Sequence, residues 1–330
     1  MYRPTRSRGV DRSRCGLHCN DGPRYGPPML ESMRQLSESE PNWAMLVLGL
    51  FGSLLILASV VCIVLVLIHV GRHPVGWKRA VQRVASRTWT WRDAAFVCLA
   101  MLMMHLVLFL VVNGLAGLLP QHIDVLTSAS IVVQTLLFQG GGIALVHFLI
   151  RAHHTTWRDA FGIDTRHARR DVLRGIVLYF AAVPVVGVTA WAYRALLTAC
   201  GVEVEPQAVI RIFLAPEYPT WLKVYLAGLA VAVAPFVEEF LFRGIGLPVL
   251  LKHARPAWSI VGLSVAFAAI HFSLPALVPL FVIAAAFSLA YAATGSLVVP
   301  IAMHMTFNAV SLLVLLVLQL VPGGAELAGF

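Results

Sequence analysis

The residues of this chain that are suited to chemistry lie within runs that are otherwise apolar. The stretch 235–244, PFVEEFLFRG, places Glu238, Glu239 and Arg243 inside one such run. A charged group at the centre of a membrane helix costs about 2.5–3.5 kcal/mol on insertion scales, so it is retained there mainly for function. Two further polar sets with i and i+4 spacing follow along the chain: Phe267 with His271, and His304 with Asn308.

Helical spacing divides the first set into a pair and a single carboxylate. Glu239 and Arg243 are four residues apart, so they are expected to pair on one face of a helix. Glu238 points about 100° away from that pair and is left free. A carboxylate in a cavity of low dielectric constant can serve as the general base that takes a proton from water. The spacing therefore favours Glu238 as the reactive group and Glu239 with Arg243 as a mutually neutralised pair.

The histidines and the asparagine supply the other groups that hydrolysis of an amide bond needs. The imidazoles of His271 and His304 can orient a water molecule, or bind a metal ion that activates it. The amide of Asn308 and an imidazole N–H can donate hydrogen bonds to a developing oxyanion. Phe267 lies one turn before His271, so its ring is expected to pack beside the imidazole.

A metal ion is an alternative way to activate the water. Glu238, His271 and His304 match the ligand set of two histidines and one glutamate found in many catalytic zinc sites. The residues leave open whether the site uses Zn²⁺ or another divalent metal, or holds the water without a metal. The chain contains neither an HExxH zinc helix nor a Gly-x-Ser-x-Gly nucleophile turn, which are the signatures of other protease classes.

The elements that must position these residues are membrane-spanning helices. The chain of 330 residues is 59% hydrophobic and only 12% charged, whereas soluble domains carry about 25% charged residues. Its long apolar stretches show no strand-like alternation, so they are expected to cross the bilayer as helices. Eight such stretches are predicted, near 44–69, 94–119, 125–150, 172–198, 222–249, 257–273, 276–293 and 297–320. The predicted fold is therefore an all-α, polytopic transmembrane bundle with about eight spans.

Positive charges in the connecting loops predict the orientation of the bundle. Lysines and arginines concentrate in the 71–93 loop, in the 151–171 loop and in the loop after the fifth span, which contains Lys252 and Arg255. Under the positive-inside rule these loops are cytoplasmic and both termini lie outside. The net charge of +9 is therefore assigned to membrane orientation, with the lipid bilayer as a partner and no nucleic acid expected.

Four regions are expected along the chain. Residues 1–42 are rich in Arg, Pro, Ser and Gly and are expected to form a disordered basic tail. The arginines of this tail conflict with an external N-terminus, and a true translation start at Met33 would remove the conflict. Residues 43–221 are expected to supply the N-terminal spans and basic cytoplasmic loops. Residues 222–320 contain every motif and are expected to form the catalytic core, and 321–330 a short C-terminal tail.

The three motifs, taken in order, resemble those of the CPBP family of intramembrane proteases. The resemblance rests on Glu238-Glu239-x-x-x-Arg243-Gly244, Phe267-x-x-x-His271 and His304-x-x-x-Asn308. It covers about 222–320, and the run from 291 to 310 is also similar to the approach to that family's last motif. The family includes the type II CAAX prenyl endopeptidases and bacterial proteins of bacteriocin processing and immunity.

The resemblance implies a role for each motif residue. Glu238 would be the catalytic general base, and His271 would help to hold and activate the water. His304 and Asn308 would line the site as oxyanion donors or metal ligands, and Glu239 and Arg243 would position the first helix. The family has been described both as metalloproteases and as metal-independent glutamate proteases. The implied protein is a multi-pass endopeptidase of the bacterial inner membrane that cleaves a membrane-associated or lipid-modified, CAAX-like substrate.

Two other classes of function are compatible with the same residues. A non-enzymatic immunity or interaction protein would keep the site but act by binding a partner. A proton-coupled transporter is the second alternative, because buried Glu and His side chains also form proton relays. Inverted repeats would favour a transporter, and the sequence shows only a short similarity between 91–94 and 157–160, both WRDA. This similarity is better explained by two helix starts capped by Thr90 and Thr156.

Overall fold

The computed structural model describes residues 43–73, 76–118, 123–202 and 208–319. The predicted tails 1–42 and 321–330, and with them the alternative start at Met33, lie outside the described residues. All regular elements in the described ranges are helical, which confirms the all-α prediction. The described residues from Ala44 onward belong to one compact unit.

Eleven helices follow one another within the described ranges. They are α1 (Trp43–Arg72), α2 (Trp77–Ala85), α3 (Trp91–Leu118), α4 (Ile123–Ala152), α5 (Trp157–Phe161), α6 (Ala168–Ala199), α7 (Ala208–Leu214), α8 (Thr220–His253), α9 (Pro256–Ala269), α10 (Leu277–Thr294) and α11 (Val298–Gln319). Seven of them (α1, α3, α4, α6, α8, α10 and α11) are long and apolar enough to cross a membrane. The protein is therefore a multi-pass helical membrane protein, as its sequence predicted.

The sixth predicted span, 257–273, is shorter than expected. Helix α9 has 14 residues and ends at Ala269, so its length is about 21 Å against a hydrocarbon core of about 30 Å. The chain leaves the helix through a tight turn in which Phe272 has a φ of 46°. His271 therefore lies in a turn beyond the helix.

Helix α8, which contains the two glutamates, has two wide turns. The backbone is π-helical at Leu229–Val233 and again at Phe240–Gly246. Each π-helical stretch ends two residues before a proline, at Pro235 and Pro248. A proline lacks the N–H group and its ring clashes with the preceding turn of an α-helix, so the backbone widens before it. Glu238 and Glu239 lie in the short α-helical stretch between the two wide turns.

Helix α10 lies at the centre of the core that surrounds the site. It packs against α6, α9 and α11, and Ile283, Ala284 and Phe287 on it are almost completely buried. Helix α6 approaches α11 closely at Gly175, where an added Cβ would lie 2.5 Å from the carbonyl oxygen of Val299. This close packing fixes α11, which contains His304, against the rest of the bundle.

The basic loops meet at one end of the bundle. Nη2 of Arg87 donates to the carbonyl of Gly295 at 2.9 Å, and Nζ of Lys252 donates to the carbonyl of Trp89 at 2.6 Å. The N–H of Leu297 donates to the carbonyl of Phe161 at 3.0 Å. The loops before α3 and α11 therefore lie at the same end as α5 and the last turn of α8, as the predicted orientation requires.

The two WRDA segments are helix starts, as the sequence predicted. The hydroxyl of Thr90 donates to Asp93 Oδ2 at 2.8 Å, and that of Thr156 donates to Asp159 Oδ2 at 2.7 Å. The N–H of Asp159 in turn donates to the oxygen of Thr156. These reciprocal bonds satisfy the free backbone groups at the start of α3 and α5.

Candidate active site

Glu239 and Arg243 form a fully buried ion pair. Nη1 of Arg243 donates to Oε1 of Glu239 at 2.7 Å, and neither side chain has any exposed surface. The predicted i and i+4 pairing is therefore confirmed, although Arg243 lies in the second wide turn of α8. Two buried charges are tolerated when they are paired and their remaining donors are bonded.

Helix α10 supplies the remaining partners of Arg243. Nη2 donates to the carbonyl of Ala284 at 2.9 Å, and Nε donates to the hydroxyl oxygen of Ser288 at 3.3 Å. The rings of Phe267 and Phe287 lie 4.6 and 5.2 Å from the guanidinium carbon. The cation is therefore enclosed by aromatic faces and hydrogen-bond acceptors on three helices. Sequence analysis did not identify Phe287 or Ser288, because α10 carries no motif.

His304 connects this ion pair to the second glutamate. Its Nδ1 lies 3.0 Å from Oε1 of Glu239, and its Nε2 lies 3.8 Å from Oε2 of Glu238. A carboxylate bound by a guanidinium only accepts hydrogen bonds, so Nδ1 carries the proton that it donates to Glu239. The ring of Phe287 stacks on the imidazole, with centroids 4.9 Å apart. The orientation of His304 is therefore fixed, and Nε2 faces Glu238.

Glu238 is the carboxylate without a hydrogen bond, as its helical direction predicted. Its Oε2 is buried and has no hydrogen-bond partner among the described residues. The separation of 3.8 Å from His304 is too long for a direct hydrogen bond. The side chain as a whole is 24% exposed, in contrast to the fully buried Glu239. Glu238 therefore presents a free acceptor at the edge of a buried polar network.

His271 lies beside the network but is held separately from it. Its Nδ1 is 2.8 Å from the carbonyl oxygen of Phe267, so it donates there and leaves Nε2 free. The ring of Phe267 lies between the two histidines, with centroids 4.9 Å from His271 and 5.7 Å from His304. The predicted contact between Phe267 and His271 is therefore confirmed. His271 makes no hydrogen bond or ion pair with Glu238 in this arrangement.

Asn308 bonds to the backbone of α8. Its Nδ2 donates to the carbonyl of Ala230 at 2.7 Å, in the first wide turn. In a π-helical turn the donor to Ala230 would come from residue 235, and Pro235 has no N–H group. Asn308 therefore satisfies a carbonyl that the wide turn leaves without a donor. His304 and Asn308 both face α8, as their i and i+4 spacing predicted.

The predicted metal ligands do not form a ligand group as they are arranged here. Within the described ranges, no three His, Cys, Asp or Glu side chains lie close enough together to hold a metal ion. The chemistry of the donors is nevertheless suitable, because Nδ1 of both histidines bonds to an oxygen and both Nε2 atoms are free. Metal-binding histidines commonly have this outer partner. The metal stays a prediction.

The arrangement combines a free carboxylate with two oriented imidazoles. Glu238 Oε2 and the Nε2 atoms of His271 and His304 are all acceptors when the rings are neutral. A water molecule beside Glu238 and His304, whose Oε2 and Nε2 are 3.8 Å apart, can donate one proton to the carboxylate while the imidazole fixes its position. The buried ion pair of Glu239 and Arg243 keeps His304 in place. A free carboxylate beside an imidazole has the chemistry that a general base toward water requires.

Comparison with known proteins gives one family match. Residues 219–310 match the family model described as type II CAAX prenyl endopeptidase Rce1-like. The matched segment begins just before α8 and contains all three polar motifs. No curated protein and no solved structure matches the chain.

Proposed function

From the match of residues 219–310 to the type II CAAX prenyl endopeptidase Rce1-like family model, which agrees with the resemblance of the motifs to CPBP intramembrane proteases, we propose that the chain is an intramembrane endopeptidase. It hydrolyses a peptide bond in a membrane-associated or lipid-modified, CAAX-like protein, and Glu238 activates the water. The observation that carries this proposal is the buried, unbonded Oε2 of Glu238, which faces Nε2 of the fixed His304 at 3.8 Å. The proposed setting is a bacterial inner membrane.

Water activation follows from the positions of the acceptors. A water molecule bound by Glu238 donates one proton to its carboxylate and is oriented by an imidazole Nε2. The hydroxide that forms attacks the carbonyl carbon of the scissile bond. The proton that the water gave up remains on Glu238. As the carbon–nitrogen bond breaks, Glu238 passes that proton to the leaving amine. The imidazole of His271 contacts Phe267, whose ring also contacts His304, and its Nε2 is free. His271 is therefore assigned to orient the water.

Stabilisation of the oxyanion is assigned to His304 and Asn308. The amide nitrogen of Asn308 carries two protons, of which one is donated to Ala230, so the second is available. His304 donates through Nδ1 to Glu239, and it can donate through Nε2 as well only when the ring carries both protons. In that state the carboxylate of Glu239 faces the imidazolium. Donors that are held in place before the reaction are the main source of such stabilisation.

A divalent metal such as Zn²⁺ is the second proposed way to hold the water. Glu238, His271 and His304 would be its ligands, and the metal would lower the pKa of a water molecule bound to it. His271 would have to approach the other two ligands for this, because the three do not form a group in the present arrangement. No step above depends on the metal.

Cleavage by the purified, full-length protein in liposomes tests the proposal. The probes are a farnesylated peptide ending in Cys-aliphatic-aliphatic-X and an unprenylated peptide with one apolar span, and mass spectrometry identifies the products. Glu238→Gln is expected to abolish cleavage. Glu217→Gln, the same change at an exposed loop position, is expected to leave it unchanged. Cleavage of either probe supports the proposal, and the probe cleaved shows whether prenylation is needed.

Chelation and the cellular phenotype of the variants distinguish the metal-bound from the metal-free site and the protease from the other two classes of function. Loss of cleavage on chelation and its return with Zn²⁺ would assign the metal-bound water, whereas unchanged cleavage would assign the water to Glu238 and His271 directly. An immunity or interaction protein would keep its cellular phenotype in both Glu238→Gln and His304→Ala. A transporter would show proton-coupled uptake that these variants reduce, without any peptide product. Cleavage that persists in Glu238→Gln would contradict the proposed role of this residue.

A further inference from the structure

An apolar groove lies between α3 and α4 and is called the α3–α4 groove below. Its volume is about 420 Å³, the space of about fourteen water molecules at about 30 Å³ each. Every side chain of its wall is apolar, and the wall includes Phe96, Ala100 and Met104 on α3 and Gly141, Ala144 and Phe148 on α4. Ordered water needs two to four polar partners, which these side chains do not offer. The groove is therefore suited to a hydrocarbon chain.

The two helices of the groove run antiparallel. An added Cβ at Gly141 would overlap Sδ of Met104, so the helices approach closely at that level. Toward the other end of the groove, the rings of Phe96 and Phe148 lie with their centroids 6.0 Å apart and are 45% and 55% exposed. Both helices are long and apolar enough to cross a membrane. The open side of the groove therefore faces the hydrocarbon of the bilayer.

Two arginines continue the walls of the groove at one end. Arg92 comes one helical turn before Phe96, and Arg151 comes one turn after Phe148, so each arginine lies on the helix face of its phenylalanine. Arg92 is in the first turn of α3 and Arg151 is in the last turn of α4. Because the helices are antiparallel, both cations lie just beyond the two rings, where the apolar spans end.

These two arginines have no partner within the part of the chain that the structure describes. The side chains of Arg92 and Arg151 are exposed and make neither a hydrogen bond nor an ion pair with a described residue. Asp93, the acidic residue next to Arg92, bonds to Thr90 and His153 and points about 100° away from Arg92 around the helix. The two guanidinium groups are therefore available to an anion from outside the chain.

We propose that the α3–α4 groove binds one anionic phospholipid. Its acyl chain fills the groove, and its phosphate lies between Arg92 and Arg151. A guanidinium group matches phosphate oxygens with two parallel N–H donors, and basic sites beside membrane-spanning helices bind anionic lipid head groups. The apolar groove and the two cations thus follow one another in the order in which a phospholipid carries its chain and its phosphate.

The groove lies beside the helix that supports the candidate site. Gly142, the residue after Gly141 on α4, packs against Val237, and a Cβ added to it would lie 2.5 Å from Cγ1 of Val237. Val237 directly precedes Glu238. A lipid that fills the space between α3 and α4 therefore stabilises the pair of helices on which this part of α8 rests. This inference goes beyond the proposed peptidase function and does not depend on it.

Native mass spectrometry of the full-length wild-type protein tests the proposal without any variant. The Kd of the first bound lipid is measured for dipalmitoyl phosphatidylglycerol, dipalmitoyl phosphatidylcholine and dihexanoyl phosphatidylglycerol, and inorganic phosphate is the fourth probe. The anionic dipalmitoyl lipid is expected to bind about tenfold more tightly than the zwitterionic one, because two arginines attract its net charge. The dihexanoyl lipid should bind about tenfold or more weakly, since it buries less hydrocarbon. Inorganic phosphate should not bind at concentrations that saturate the dipalmitoyl lipid.

Two double variants of equal net charge locate the phosphate. Arg92→Gln with Arg151→Gln removes the cations at the end of the groove. Arg79→Gln with Arg255→Gln removes two exposed arginines that do not line it. The first double variant is expected to weaken binding of dipalmitoyl phosphatidylglycerol by about tenfold, and the second by less than about twofold.

Two matched substitutions locate the acyl chain. Ala144→Leu fills the groove, whereas Ala192→Leu adds the same side chain at an exposed position of α6. Ala144→Leu is expected to weaken binding of both dipalmitoyl lipids by about fivefold or more, and Ala192→Leu to leave it unchanged. Dipalmitoyl phosphatidylglycerol should raise the melting temperature of Ala192→Leu but not that of Ala144→Leu. If Ala144→Leu fails to fold, the comparison of dipalmitoyl with dihexanoyl lipid decides on the chain.

Each outcome supports or overturns the lipid site. Weaker binding in both groove variants, with unchanged binding in both controls, supports it. Equal Kd values for the two double arginine variants, or for the anionic and zwitterionic lipids, would overturn the contact with phosphate. Equal Kd values for the dipalmitoyl and dihexanoyl lipids would overturn the placement of the acyl chain. Inorganic phosphate that binds as tightly as dipalmitoyl phosphatidylglycerol would assign the arginines to a free anion instead of a lipid.

Discussion

Nδ1 of His304 lies 3.0 Å from Oε1 of Glu239, the same oxygen that receives Nη1 of Arg243 at 2.7 Å. One carboxylate oxygen therefore joins a buried cation to a buried imidazole. This bond turns Nε2 of His304 toward Glu238. The two adjacent glutamates thus differ: Glu239 is bonded through Oε1 to Arg243 and His304, whereas Glu238 makes no hydrogen bond within the described residues.

The buried ion pair gives a prediction about stability. Arg243→Met leaves Glu239 as an unpaired buried charge, so it should lower the free energy of unfolding by about 3–5 kcal/mol. The double variant Arg243→Met with Glu239→Gln removes the orphaned charge and should recover a large part of this loss. SDS titration in mixed micelles measures both. A double variant that is no more stable than Arg243→Met would contradict the pairing.

Ser288 gives a prediction about the support of Arg243. Ser288→Ala leaves Nε of a fully buried guanidinium without its acceptor, which should cost about 1–3 kcal/mol. Ser264→Ala is the matched control, since Ser264 is equally buried but bonds only to Ile260 of its own helix. The same titration should show a clearly smaller loss for Ser264→Ala. Equal losses in the two variants would mean that the contact with Arg243 contributes nothing.

Asn308 gives a prediction about the first wide turn of α8. Asn308→Ala leaves the carbonyl of Ala230 without its side-chain donor, so amide hydrogen exchange in 229–234 should accelerate and peptide cleavage should fall about tenfold or more. Gln319→Ala is the control, because Gln319 also donates to a backbone carbonyl, that of Phe213, outside the candidate site. Gln319→Ala should leave cleavage unchanged. Unaltered exchange in 229–234 after Asn308→Ala would refute the support of this turn.

Lys252 gives a prediction about the end of the bundle where the basic loops meet. Its ammonium donates to the carbonyls of Arg87 and Trp89, so Lys252→Met should destabilise the protein by about 0.5–1.5 kcal/mol. Lys78→Met changes an exposed lysine on α2 and should have an effect of less than about 0.5 kcal/mol. Thermal unfolding in detergent compares them. Similar melting temperatures would show that Lys252 does not join the loops.

The sequence predicted two contacts between motif residues correctly, because helical spacing is a local property. The pairing of Glu239 with Arg243 and the contact of Phe267 with His271 follow from a separation of four residues. The sequence did not reveal which glutamate His304 would bond, because that depends on how α11 is rotated against α8. Ser288 was equally hidden, since a serine in an apolar helix usually bonds only to its own preceding turn.

The irregular backbone was the least predictable feature, although prolines marked it. Pro235 and Pro248 each follow a wide turn of α8, and Pro275 follows the early end of α9. A proline indicates that regular α-helix is disturbed, but not whether the chain kinks, widens or stops. The neighbouring helices decide this, as Asn308 of α11 does for the turn at Ala230.

The central claim is that Glu238 acts on the water while Glu239 holds the site together. Its most direct test is single-turnover cleavage and peptide binding by Glu238→Gln in liposomes, beside the wild-type protein. We expect the variant to bind the peptide with a Kd within about twofold of the wild type and to melt at the same temperature, yet to form no product. Product formation by Glu238→Gln at a rate within tenfold of the wild type would contradict the role proposed for Glu238.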